Sequence, residues 1–274
     1  MIIYNNGCSH TKTGEDFFSH GYFDIVCKEL FSNDYHTVAL ERGLYNYEKN
    51  KLSKLKLDST NILFKHALSG KSNDLIFFET LNFIYTTLGT KLKPNLIIIQ
   101  WSGPNRRFHS EPDGGIIDIN PHDNTDLGIK FEPLATEQTL QYMITLQDIC
   151  KLHNIEFIFI PYMELDKEVV ETSPIVKQLN LNKFTTSLIE GHRNLFRQSG
   201  YSMDLQGHPN FYGIYQIAKL ILEILNKDIG LIENYIEKDD IKKSKKPLQN
   251  FIKKYGNKLG EGVIESVKKI KDLI

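Results

Sequence analysis

Cysteine is scarce in this 274-residue sequence, with three residues at Cys8, Cys27 and Cys150. An odd number at such wide spacing fits neither a disulfide framework nor a zinc cluster, and it suits a reducing cytosol. Charge of one sign is lacking too. A net charge of −1 and a pI of about 6.8 leave no global field to recruit nucleic acid or an anionic membrane. No run approaches the ~18 uninterrupted apolar residues of a membrane span. The first residues also lack the basic and apolar regions of a secretory leader. The expectation is a soluble, cytoplasmic protein with no membrane partner and no nucleic-acid partner.

What is present suits one main core. With 41% hydrophobic and 24% charged residues, the chain can bury a sizeable α/β unit plus an appendage. Met1-Ile2-Ile3-Tyr4 reads as a first strand that stops at the small-residue turn Gly7-Cys8-Ser9-His10. The spacing of Phe17, Phe18, Phe23, Val26, Cys27 and Leu30 predicts a helix over 16–31. Tyr35 to Leu40 reads as a second strand, and 41–58 as loop or irregular helix. After Ser69-Gly70-Lys71-Ser72-Asn73-Asp74 a helical period runs from Leu75 to Leu88. Leu96 to Trp101 is a continuous apolar run of the length of a strand buried on both faces. Thr136 is the expected N-cap of a helix through Leu152, closed by Asn154, and Ile155 to Tyr162 is a further strand. A helix is expected around 182–198, and another after Pro209, which suits its first turn. Strand alternating with helix over this length predicts a three-layer α/β/α domain with a central parallel sheet, spanning 1–226.

Residues 227–274 differ in composition. Residues 226–274 hold 12 lysines against 8 acidic residues, and Phe251 to Leu273 are amphipathic. This tail reads as a basic helical extension available for self-association or a protein partner.

Open α/β sheets keep their ligands at the carboxyl ends of the strands. Ser9, in a turn after the first strand, is therefore a candidate nucleophile, with a helix cap as its alternative role. The turn containing Gly70 is placed to aim backbone N–H groups at a developing negative charge. Gly70-Lys71-Ser72 does not complete a P-loop, because Lys65 stands where its first glycine belongs. Asn105, in Gly103-Pro104-Asn105-Arg106-Arg107, offers a side-chain amide, and His208 stands just ahead of a helix. His10, Arg106 and Arg107 are candidate substrate contacts. The polar segment 108–133 suits a substrate lid. Its His109, Glu111, Asp113, His122 and Asp123 lack the helical spacing of zinc motifs, so neither metal nor cofactor is expected.

In their order, Gly7-Cys8-Ser9, Gly70, Gly103-Pro104-Asn105 and Asp204 with His208 resemble the four sequence blocks of the SGNH/GDSL hydrolase family. Gly-Cys-Ser-His-Thr in place of Gly-Asp-Ser is similar to the variant found in phage-encoded members, for which the compartment is a host cytoplasm. The resemblance covers about 2–225 and implies a flavodoxin-like sheet domain. It implies a serine esterase acting on an oxygen ester of a small molecule or carbohydrate. Ser9 would be the nucleophile and His208 the base. Asp204 would orient the imidazole, although three residues separate it from His208 where the family has two. The Ser9 and Gly70 N–H groups and the Asn105 amide would form the oxyanion hole. Three alternatives stay open. They are an acyltransferase with the same serine, a thiol nucleophile at Cys8, and a catalytically silent virion or assembly module that keeps the fold as a binding unit.

Overall fold

In the computed structural model the described residues are 1–7, 21–32, 34–40, 60–67, 71–110, 116–119, 132–199, 209 and 211–230. Seven strands and six helices follow one another among them: β1 (Ile2–Gly7), α1 (Tyr22–Phe31), β2 (His36–Ala39), β3 (Ile62–Ala67), α2 (Asn73–Thr87), β4 (Leu96–Trp101), β5 (Arg107–Ser110), β6 (Ile116–Ile119), α3 (Glu132–Leu152), β7 (Glu156–Pro161), α4 (Lys167–Thr172), α5 (Gly191–Ser199) and α6 (Phe211–Ile224).

Five strands form one sheet in the order β2-β3-β1-β4-β7, and every pairing in it is parallel. The side-chain alternation of a strand, with period two, sorts the core into two layers. Ile2, Tyr4, Ile62, Phe64, Ile97, Ile99, Trp101, Phe157 and Phe159 pack under α2 and α3. Ile3, Leu63, Leu96, Ile98, Ile158 and Ile160 pack under α1, α5 and α6. All six residues of β4 are buried, which is why its sequence shows no polar alternation. The three-layer α/β/α architecture expected from the sequence is therefore the one observed. Its strand order places β3 between β2 and β1.

Several local expectations are corrected. The first helix starts at Tyr22, not near Asp16, because Gly21 is extended and its N–H donates to the Asp24 carboxylate at 2.8 Å. Phe17 and Phe18, which the expected helix included, lie outside the described residues. β3 had no counterpart in the sequence reading. It is the short run Ile62-Leu63-Phe64, turning polar at Lys65-His66. α3 begins at Glu132, so Thr136 is no cap. Thr136 is buried, and its hydroxyl accepts the Asp166 N–H at 3.1 Å. Asn154 does close that helix, at φ +51. Part of the segment expected as a lid is the antiparallel strand pair of β5 with β6. The helix expected from residue 182 starts at Gly191, after 3-10 turns at Val176–Gln178 and Leu181–Lys183. Pro209 precedes α6 and is not part of its first turn. The described chain stays attached to the core through Gly230, whose carbonyl accepts from Tyr215 Oη at 3.0 Å. Residues 41–59 and 231–274 lie outside the described residues. No helix among the described residues is long and apolar enough to cross a membrane.

Candidate functional site at the carboxyl ends of three adjacent strands

The sheet order makes neighbours of the strands that lead into the singled-out sequence blocks. β1 ends at Gly7, two residues before Ser9, and β3 ends at Ala67, three before Gly70. β4 ends at Trp101, ahead of Gly103-Pro104-Asn105. Gly7 pairs with Ala67, and Asn6 pairs with both His66 and Ile99, so all three strands leave the sheet near a common level. Parallel neighbours stand about 4.8 Å apart. Blocks remote in sequence are thus delivered to one edge.

Near that edge the strands switch from apolar to polar while remaining buried. Asn5, Asn6, His66 and Gln100 are each at most 1% exposed. On the α1 side Tyr22 Oη donates to Gln100 Oε1 at 2.9 Å, and Lys65 is paired with Asp24. On the α2 side lies a denser cluster. Asn6 Nδ2 approaches Tyr4 Oη at 3.1 Å, the Ile76 carbonyl at 3.1 Å and Thr80 Oγ1 at 3.2 Å. Its Oδ1 accepts the Gly7 N–H at 2.8 Å and Lys71 Nζ at 2.9 Å. Lys71 also donates to the His66 carbonyl and pairs with Glu79. Tyr4 Oη lies 2.9 Å from His66 Nδ1, and His66 Nε2 lies 3.5 Å from Glu79 Oε1. Tyr4 Oη therefore bridges Asn6 Nδ2 and His66 Nδ1, and His66 Nε2 faces Glu79.

A second clip ties α2 to the segment after β4. Asn73 Oδ1 accepts the Ser102 N–H at 2.6 Å, and Asn73 Nδ2 donates to the Ser102 carbonyl at 3.1 Å. Nδ2 also reaches Thr139 Oγ1 on α3 at 3.2 Å. Beyond Ser102 the chain turns back, with the Arg106 N–H on the Gly103 carbonyl at 3.2 Å. A Cβ on Gly103 would meet only the Met163 side chain, at 3.8 Å, so space does not demand glycine there.

The structure describes some of the sequence candidates and not others. Asn105 sits in the turn after β4, half-buried, at the edge expected for it. Arg106 is half-buried and donates to Ser102 Oγ at 3.2 Å, bracing the loop. Arg107 opens β5. Ser9, His10, Cys8, Gly70, Asp204 and His208 lie outside the described residues, as do Glu111, Asp113, His122 and Asp123. Among the described residues no three His, Cys, Asp or Glu side chains converge as metal ligands would. The Lys71–Glu79–His66 cluster and the Asn73 clip escaped the sequence reading. The available signal was the abrupt polar ending of two otherwise apolar strands, Asn5-Asn6 and Lys65-His66.

No family model matches this sequence, and no curated protein does. Solved structures do resemble it. The acetyl xylan esterase AlAXEase is 11% identical, with a TM-score of 0.46 over 81% of this chain and 98% of its own. A variant of an acetyl-xylooligosaccharide esterase from Geobacillus stearothermophilus is 15% identical, with a TM-score of 0.46 over 82% of this chain and 94% of its own. The lipase Lip_vut3 from a goat rumen metagenome is 11% identical, with a TM-score of 0.44 over 82% of this chain and 97% of its own. At these identities and overlaps no residue of theirs transfers to a position in this chain.

Proposed function

We propose that this protein hydrolyses an oxygen ester of a small molecule or carbohydrate with Ser9 as nucleophile. The observation that carries the reading is the adjacency of β3, β1 and β4. The connections leading to Gly70, Ser9 and Asn105 leave the sheet side by side at its carboxyl edge. In the reaction Ser9 Oγ attacks the ester carbonyl while His208 removes its proton, with Asp204 orienting the imidazole. The carbonyl oxygen becomes an oxyanion, met by the Ser9 and Gly70 N–H groups and the Asn105 amide. Collapse of this intermediate expels the alcohol, which takes the proton from His208. Water activated by His208 then cleaves the acyl-serine and restores the enzyme.

The test is turnover of a p-nitrophenyl ester series by the wild type, Ser9→Ala and His208→Ala, together with labelling by a fluorophosphonate. Ester cleavage that both substitutions abolish, with Ser9 as the labelled residue, is expected. Asn105→Ala should lower kcat by about 10²–10³ while leaving labelling detectable. Ester cleavage that persists in Ser9→Ala and is lost in Cys8→Ala would assign the thiol as nucleophile. A folded wild type that neither cleaves nor labels would overturn the reading in favour of a binding module. The basic tail is proposed as an interaction element. Its truncation belongs after Gly230, because Ile229 packs on the core and Gly230 is held by Tyr215.

A further inference from the structure

Lys71 is fully buried, directly after Gly70, and nothing in the proposed chemistry uses its charge. Its ammonium joins three elements. It meets Asn6 Oδ1 on β1 at 2.9 Å, the His66 carbonyl on β3, and Glu79 on α2. The contact with His66 ties the residue two positions ahead of α2 back to the end of β3. The contact with Asn6 is the more telling one, because the same Oδ1 accepts the Gly7 N–H at 2.8 Å, two residues before Ser9.

Stability alone is a poor reason for this arrangement. Removing two charges from water costs several kcal/mol per ion, and well-packed apolar substitutes are often no less stable. What a multiply bonded ammonium supplies is a fixed distance between groups that apolar packing would leave free to slide. Tyr4 extends the same frame. Its ring stacks on Phe83 at 4.1 Å, and its hydroxyl spans Asn6 and His66.

Building on the proposed ester hydrolysis, we propose that Lys71 is a positioning residue that locks the end of β1 to the connection between β3 and α2. It thereby sets the spacing between the nucleophile turn and the Gly70 N–H. A misplacement of about 1 Å in such a site costs on the order of 10²-fold in rate.

The experiment compares the wild type with Lys71→Met, which keeps length and removes charge, and with Tyr4→Phe, which keeps the stacked ring and both charges. Each is assayed for p-nitrophenyl ester turnover and for the rate of fluorophosphonate labelling, at a temperature where circular dichroism shows it folded. Lys71→Met should lower kcat and the labelling rate together by about 10- to 100-fold, with KM within about twofold. Tyr4→Phe should lower both by about fivefold or more in the same pattern. A merely structural ion pair predicts a lower melting temperature with kcat of the folded fraction unchanged. That result overturns the proposal. If Lys71→Met does not fold, Tyr4→Phe decides alone, and unchanged kcat and labelling in that variant refute the role. A folded but inert wild type removes the reaction and the positioning role together, whereas an active wild type with unaffected variants removes only the latter.

Discussion

Replacing Asn73 with alanine should unmoor the loop after β4. The Asn73 side chain satisfies both backbone groups of Ser102, accepting its N–H at 2.6 Å and donating to its carbonyl at 3.1 Å. Ser102 is 2% exposed, so water cannot take over either role without opening the core. Leaving a buried donor or acceptor unsatisfied costs about 1–3 kcal/mol, so the two together should cost about 2–6 kcal/mol. The loss of Nδ2 from Thr139 Oγ1, at 3.2 Å, adds a smaller amount. Urea denaturation should show the midpoint falling with the slope unchanged, since the surface exposed on unfolding is the same. Because the clip precedes Asn105 by only a few residues, ester turnover of the folded variant should fall as well. Asn73→Asp separates the two bonds, keeping an acceptor for the Ser102 N–H and setting an oxygen against the Ser102 carbonyl. A change in stability within about 0.5 kcal/mol for Asn73→Ala would refute the argument that this side chain holds the loop.

Two other sites make independent predictions. His192 is buried, with Nε2 2.7 Å from Thr185 Oγ1, and burial pushes its pKa down to about 3. The unfolded chain therefore binds a proton that the folded one refuses. This contribution to stability is whole above pH 6.5 and is lost as the pH falls toward 3. About 2 kcal/mol should be gone by pH 5, read by denaturation at pH 8 and pH 5. His192→Gln should flatten that dependence, and an unchanged slope would refute it. Gly191 has φ +58, and a Cβ there would stand 2.7 Å from the Met163 carbonyl carbon and 2.8 Å from the Glu164 nitrogen. Both obstacles are backbone, so Gly191→Ala should cost at least about 2 kcal/mol, measured by thermal or urea unfolding, and a neutral result would mean that this turn rearranges freely.

Period and run length in the sequence suffice for the architecture. β4 and β7 are apolar runs bounded by breakers, and α2 and α3 repeat their apolar residues at helical spacing, so a parallel sheet covered on both faces follows. β3 was missed because three apolar residues followed by Lys65 and His66 resemble the surface, and only burial in the sheet tells otherwise. The start of α3 was misplaced because Thr136 resembles a cap in one dimension. In three dimensions its hydroxyl faces Asp166 on another segment. The order of the blocks around Ser9, Gly70, Asn105 and His208 was legible from residue type alone, because each block is a short local pattern. That three of the blocks lie beyond the ends of adjacent strands was decided only by the sheet order, which depends on which strands pair. The Lys71 cluster and the Asn73 clip were likewise decided by tertiary structure, since they join residues up to 74 positions apart. Hydrogen bonds of a few ångströms between such distant residues leave no periodic trace in a sequence.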